Sequence, residues 1–188
     1  MTRLSDLRWL WIPAAVTTLL GAAQAATVAY TAVGGTASFE HKVRFINVRG
    51  SIADVTSTVQ LDPADLAATR GSVTVPVVKL KTGLGLRDDH ARSEVALNAD
   101  KFPNAVFTLE KLTGGKLIEG QTLSTTASGQ LTIKGKTLAV TAPVKATLQQ
   151  GKVNVSTQFK INPHDYEVNY PGSSDSATLN VTFTLAPR

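Results

Sequence analysis

Residues 87–94 crowd Arg87, Asp88, Asp89, His90, Arg92 and Glu94 together in a chain otherwise dominated by Thr, Val, Ala and Leu. Such a group could ligate a metal through His90 and either aspartate, exchange protons with a bound substrate, or meet a polar head group through its arginines. His41, His164 and Asp165 are the other candidates for the first two chemistries. No two of the three histidines stand four apart, as in a helical zinc motif, and no His-x-Glu signature is present. They read as solvated or capping histidines, so no metal and no cofactor is expected. A nucleophilic hydrolase without Cys would need an activated Ser, yet the G-x-S-x-G elbow is missing and no catalytic residue is assigned.

The chain must supply a frame for this group. Its first residues read as a signal peptide: Arg3 and Arg8 precede an apolar stretch over 9–20, and Ala23-Gln24-Ala25 has the small-x-small pattern of a cleavage site. The stretch is too short for the roughly 20 residues that span a bilayer. Cleavage after Ala25 is therefore expected, with no stable membrane anchor and a periplasmic or secreted destination. What remains, residues 26–188, suits one domain with one core. Removing Arg3, Arg8 and Asp6 takes the formal charge from +5 to +4, with the cations scattered. The few aromatics fall mostly on apolar faces, so nucleic acid is not an expected partner. There is no Cys, so core packing and strand pairing alone must hold the domain.

From Thr36 onward the hydrophobic period is two, which sends alternate side chains to opposite faces of a strand. Along 123–133 the odd positions include Leu123, Ala127, Leu131 and Ile133, and the even ones, Ser124 to Lys134, are Ser, Thr, Gln and Lys. A turn at Lys134-Gly135-Lys136 flips the parity to Leu138, Val140, Ala142, Val144, Ala146 and Leu148. Gln150-Gly151 turns into Val153, Val155, Phe159 and Ile161, and a last strand carries Ala177, Leu179, Val181, Phe183 and Leu185. Weaker runs cover 36–49, 51–61, 72–80 and 104–112, with an edge strand near Tyr30. Helix is scarce. Asp62-Pro63 predicts one turn, and residues 87–97 predict a short helix capped by Asp88 or Asp89 that packs Val95 and Leu97 against one end of the sheet.

About eight or nine antiparallel strands with one dry face must bury it, and with so little helix the sheet curls on itself. The fold class is all-β, an extended antiparallel barrel with one or two short helices. Period two would equally suit a sandwich. Inward parity selects Phe39, Val43, Phe45, Leu131, Ile133, Val140, Phe159, Leu179 and Phe183 as lumen residues. Ala37, Ala127, Gly129, Ala142, Ala146 and Ala177 either fit the barrel's taper or leave room for a ligand. The opposite face carries Lys134, Lys145 and many Thr, unlike the lipid face of an outer-membrane barrel.

The charged segment, read as Leu86-Arg87-Asp88-Asp89-His90-Ala91-Arg92-Ser93-Glu94 followed by Lys101-Phe102-Pro103 and Phe107, resembles the "R-D-x-H-L-x-S-x-x-F... K-Y-P-x-x-F" block of the YceI-like family. Gly129-Gln130-Leu131-Thr132-Ile133-Lys134-Gly135-Lys136-Thr137, with Pro143-Val144 beyond, resembles that family's "G-x-L-T-I-x-G-x-T... P-V" block. The resemblance implies a lipocalin-like barrel exported to the periplasm or medium, with a lumen that holds an isoprenoid or quinone-type lipid. It implies no reaction. Where the family carries bulky residues this chain has Ala91 and Val95-Ala96, so no particular lipid carries over.

The resulting expectation is a non-enzymatic lipid carrier or store, with Arg87, His90 and Arg92 at a polar mouth; a homodimer is compatible with it. Two alternatives stay open at this point. One is a structural or stress-response barrel with a filled core. The other is an enzyme acting on an apolar substrate, for which His41, on an inward-facing strand, is the candidate acid or base.

Overall fold

The computed structural model describes residues 27–188; the expected signal peptide lies outside them. Among these described residues nine strands run β1 (Val28–Val43), β2 (Ile46–Ala53), β3 (Thr56–Leu61), β4 (Arg70–Val75), β5 (Ala105–Leu112), β6 (Thr122–Ile133), β7 (Lys136–Gln149), β8 (Lys152–Ile161) and β9 (Ser173–Pro187), with one α-helix, α1 (Gly85–Arg92), between β4 and β5. All pairings between named strands are antiparallel, and β1 pairs with β9. The ring β1-β3-β4-β5-β6-β7-β8-β9 is therefore a closed eight-stranded barrel, and β2 is a ninth strand outside it.

The ninth strand arises from a bend in β1. Residues 28–31 pair with β3, and residues 36–43 pair with β2. Between them Gly34 adopts φ +96° and Gly35 lies so close to β9 that an added Cβ would sit 2.8 Å from Phe183 Cβ. β2 and β3 thus follow one another along one edge of β1, while β9 runs along the other. Tyr30, expected on an edge strand, is paired on both sides and buried.

The predicted strand over 36–49 is two strands, because the chain reverses at Arg44-Phe45, where Arg44 takes φ 54° and its N–H donates to Gly172 O at 2.6 Å. The run over 51–61 is likewise divided, at Asp54 (φ 59°). The β6–β7 and β7–β8 hairpins turn as expected, each through two residues of positive φ, Lys134-Gly135 and Gln150-Gly151, the geometry that matches strand twist. On the outer face, Thr122–Thr147, Ser128–Thr141 and Thr132–Thr137 form cross-strand hydroxyl pairs.

The two ends differ. At the end where β1 begins and β9 finishes, Tyr30, Val59, Leu61, Leu66, Leu112, Leu117, Val153 and Leu185 pack into a plug. Its floor is a 3-10 turn, Leu66–Ala68, whose capping residue is Asp65 and whose Leu66 N–H donates to Gly115 O. That turn starts later than the Asp62-Pro63 signal predicts, because Asp62 instead accepts from Ala64 N–H and shapes the approach. The opposite end carries the β1–β2 turn, the β4–β5 connection with α1, and the β8–β9 connection, and it is open.

Candidate functional site

A cavity of about 1010 Å3 occupies the barrel above the plug. Its wall is the dry face of the sheet, since every second side chain of a strand must point inward. Phe39, Val43, Leu131, Ile133, Val140, Phe159, Leu179 and Phe183 all line it. Phe45 does not. It sits in the β1–β2 turn and is 95% exposed, because the reversal at Arg44 breaks the parity that selected it.

The small residues divide between the two roles left open. Ala37, Ala127, Ala142 and Ala177 border the cavity. Gly129 is instead covered by the ring of Phe107, and Ala146 packs into the plug. Four small side chains thus contribute space, and the remaining two serve close packing.

Polar groups in the wall are few and several are engaged. Thr157 Oγ1 donates to Pro143 O at 2.7 Å, and His41 Nδ1 lies 3.2 Å from Ser176 O. Tyr166 is buried at the open end in the 3-10 turn Pro163–Tyr166, which Asn162 caps by accepting from His164 N–H. Burial, assisted by the charge of Asp165, pushes its phenol above the ordinary value, so it stays neutral. Among the described residues, no three His, Asp or Glu side chains converge as a metal site.

The charged segment forms α1, and its members separate by function. The helix starts at Gly85 with Leu84 in the capping position and no side-chain cap; neither Asp88 nor Asp89 caps it. Asp88 lies in the first turn, only 4% exposed. It accepts from both the N–H and the hydroxyl of Thr82, each at 2.6 Å, with Lys81 Nζ 4.0 Å away. These hydrogen bonds hold its carboxyl below the ordinary carboxylate range.

Arg92, expected at the mouth, is turned away from it. Its guanidinium donates to Leu80 O at 2.9 Å and to Asp89 Oδ1 at 2.8 Å, which ties the end of α1 to the preceding loop. Arg87 and His90 do border the opening, with His90 Nδ1 3.4 Å from the Tyr170 hydroxyl. Leu97 lines the cavity, whereas Val95 points outward and is 56% exposed. Inward parity and the charged cluster both missed Arg44, Ile46, Leu84, Leu86, Tyr170 and Pro171 at the opening. Ile46 opens β2 directly after the chain reversal, and the others lie in loops or on α1, where period two carries no information.

The YceI-like domain family matches residues 23–186. No curated protein matches the chain. Among solved structures, a polyisoprenoid binding domain from Saccharophagus degradans implicated in plant cell wall breakdown superposes with a TM-score of 0.71 at 11% identity, covering 86% of this chain and 99% of that one. Burkholderia cenocepacia BcnA superposes at 0.70 with 20% identity over 80% and 95% of the two chains. The Campylobacter jejuni YCEI protein superposes at 0.63 with 23% identity over 78% and 88%. At these identities the likeness is one of fold.

Proposed function

The chain belongs to the YceI-like domain family, and on that premise we propose that it is an exported lipid-binding protein, holding an isoprenoid or quinone-type lipid in its lumen as a carrier or store. The observation that carries this reading is the cavity itself: about 1010 Å3, apolar along its length, plugged at one end and open at the other. Its size lies at the upper limit of the range common for small-molecule sites, which suits a long tail better than a compact ligand. The polyisoprenoid binding stated for the Saccharophagus domain, which has the same fold, supports the ligand class.

The energetics need no catalytic group. Burial of ten methylene-sized units contributes roughly 8 kcal/mol gross, from which association and ordering costs are subtracted. A filled structural barrel would lack this space. The reading assigns no reaction to His41, whose Nδ1 faces a backbone carbonyl rather than another ionisable side chain.

Export rests on the leader-like residues 1–25 and is tested by sequencing the N-terminus of the protein purified from its host, which should begin at Ala26. Binding is tested by titrating delipidated protein with a series of polyprenols and quinones. Saturable binding that strengthens with tail length supports the reading, and no binding at any length overturns it.

A further inference from the structure

The rim of the open end carries apolar side chains that the lumen does not account for. Phe45 is 95% exposed, Leu86 72%, Ile46 63% and Leu84 56%. They come from two separate segments, the β1–β2 turn and the start of α1. Ile46, Leu84 and Leu86 border the cavity opening, and Phe45 stands beside Ile46 with its ring in solvent. Leaving such side chains in water is unfavourable, and a group of them around one opening marks a contact surface.

The charges on the same segments have one sign to spare. Arg44 and Arg87 flank the opening, and among the described residues neither guanidinium makes a hydrogen bond or ion pair. On α1, Asp88 is occupied by Thr82 and Asp89 by Arg92. Residues 42–49 contain Lys42, Arg44 and Arg49 with no acid, and only Arg49 is paired, to Glu40. Protruding apolar tips interleaved with free cations suit the boundary between head groups and acyl chains of an anionic membrane.

We propose that the barrel docks with its mouth down on an anionic lipid surface, with Phe45, Leu84 and Leu86 inserted among the acyl chains and Arg44 and Arg87 on the head-group phosphates. Docked in this way, the lumen is continuous with the bilayer interior, and a lipid tail passes between them without crossing water. The proposal takes the lipid-binding reading as its starting point, but its test is independent of lumen occupancy.

The test is flotation of the protein, as purified from its host, with vesicles of equal parts phosphatidylglycerol and phosphatidylcholine, and with phosphatidylcholine vesicles alone. The unsubstituted protein is expected to float with the mixed vesicles and weakly with the neutral ones. Phe45→Ser should reduce the bound fraction about tenfold. Arg44→Gln with Arg87→Gln should reduce it about twenty-five-fold on mixed vesicles, at about fivefold for each cation. Val33→Ser, an exposed position on the wall of the barrel, should change nothing.

Uptake of quinones and polyprenols from detergent, measured without vesicles, separates the two readings. Phe45→Ser should retain it, because Phe45 does not line the lumen. Vesicle binding with uptake of neither lipid class would sink the lipid-binding reading alone; uptake of either without vesicle binding would sink the docking proposal alone. As a second readout, Phe45→Trp, whose tryptophan is the only one in residues 26–188, should shift its emission to the blue when mixed vesicles are added. Flotation unaffected by the Phe45 and arginine substitutions, or Phe45→Trp emission unmoved by vesicles, overturns the docking surface.

Discussion

Thr82 donates twice to the same atom of Asp88, from its backbone N–H and from its hydroxyl, both to Oδ1 at 2.6 Å. The pair anchors α1 across the open end of the barrel. Because the ionised carboxylate receives both bonds, the folded state holds the Asp88 pKa below its unfolded value. The sign follows directly. Above the ordinary carboxylate value of about 4 the contribution to stability is complete. As the pH falls below that value the unfolded chain takes up a proton that the folded protein refuses, and the contribution is lost as the pH passes through the depressed value. Asp88→Asn should lower the melting temperature at neutral pH and flatten its decline on acidification. A variant whose melting temperature falls with acid as steeply as the unsubstituted protein's would contradict this.

Arg87 and Asp88 are neighbours with opposite roles, and substitution should separate them. Arg87 borders the opening without a partner among the described residues, so Arg87→Ala should alter stability by no more than about 0.5 kcal/mol while weakening retention of a lipid with a polar head group. Asp88→Asn should do the reverse: lower stability, with retention unchanged under conditions where the protein is folded. Parallel melting curves and lipid-retention assays on the two variants provide the check.

A packing prediction concerns Gly129 in β6. An added Cβ there would collide with Thr108 O and sit 2.9 Å from Phe107 Cζ. Gly129→Ala should therefore cost about 1–3 kcal/mol through displacement of the β5 backbone and of a ring that lines the lumen. Denaturant unfolding measures it, and an unchanged midpoint would show that the Phe107 ring and β5 yield more easily than this geometry implies.

A capacity prediction concerns Ala142, buried on β7 at the cavity wall opposite Ala127 in register. Ala142→Phe places a ring in the lumen and should shift the bound species to shorter tails. Extraction and sizing of the retained lipid would show it, and an unaltered tail-length distribution would place the ligand elsewhere.

How far the fold could be read from sequence depended on where period two held. Along β6, β7, β8 and β9 alternation was unbroken, and the hairpin turns coincide with Lys134-Gly135 and Gln150-Gly151. Between 36 and 49 alternation misled: positions 37, 39, 41 and 43 continue numerically to 45, but the chain reverses at Arg44. The usual turn residues are missing there, and the reversal is stabilised by a long-range bond to Gly172 O that no local pattern encodes. Gly34-Gly35, a glycine pair of the kind that usually marks a turn, is instead the bend that lets one strand pair with β2, β3 and β9.

The site was legible where it is built from strands and obscure where it is built from turns. Eight of the nine lumen positions chosen by parity line the cavity, and the ninth, Phe45, fails for the reason just given. At the mouth, Arg87 and His90 border the opening while Arg92 folds back on Leu80 O. Charge composition alone cannot separate these cases, because the direction of each side chain depends on the start of α1 at Gly85. Arg44 and Tyr170 reach the mouth through tertiary contacts, so nothing in their sequence neighbourhood marks them.

The central claim, a lumen occupied by a lipid, is tested most directly by native mass spectrometry of the protein purified from its own host, followed by solvent extraction. The account predicts a mass excess corresponding to one isoprenoid or quinone-type lipid per barrel, recovered in the extract. A bare polypeptide mass that stays bare after incubation with such lipids would contradict it.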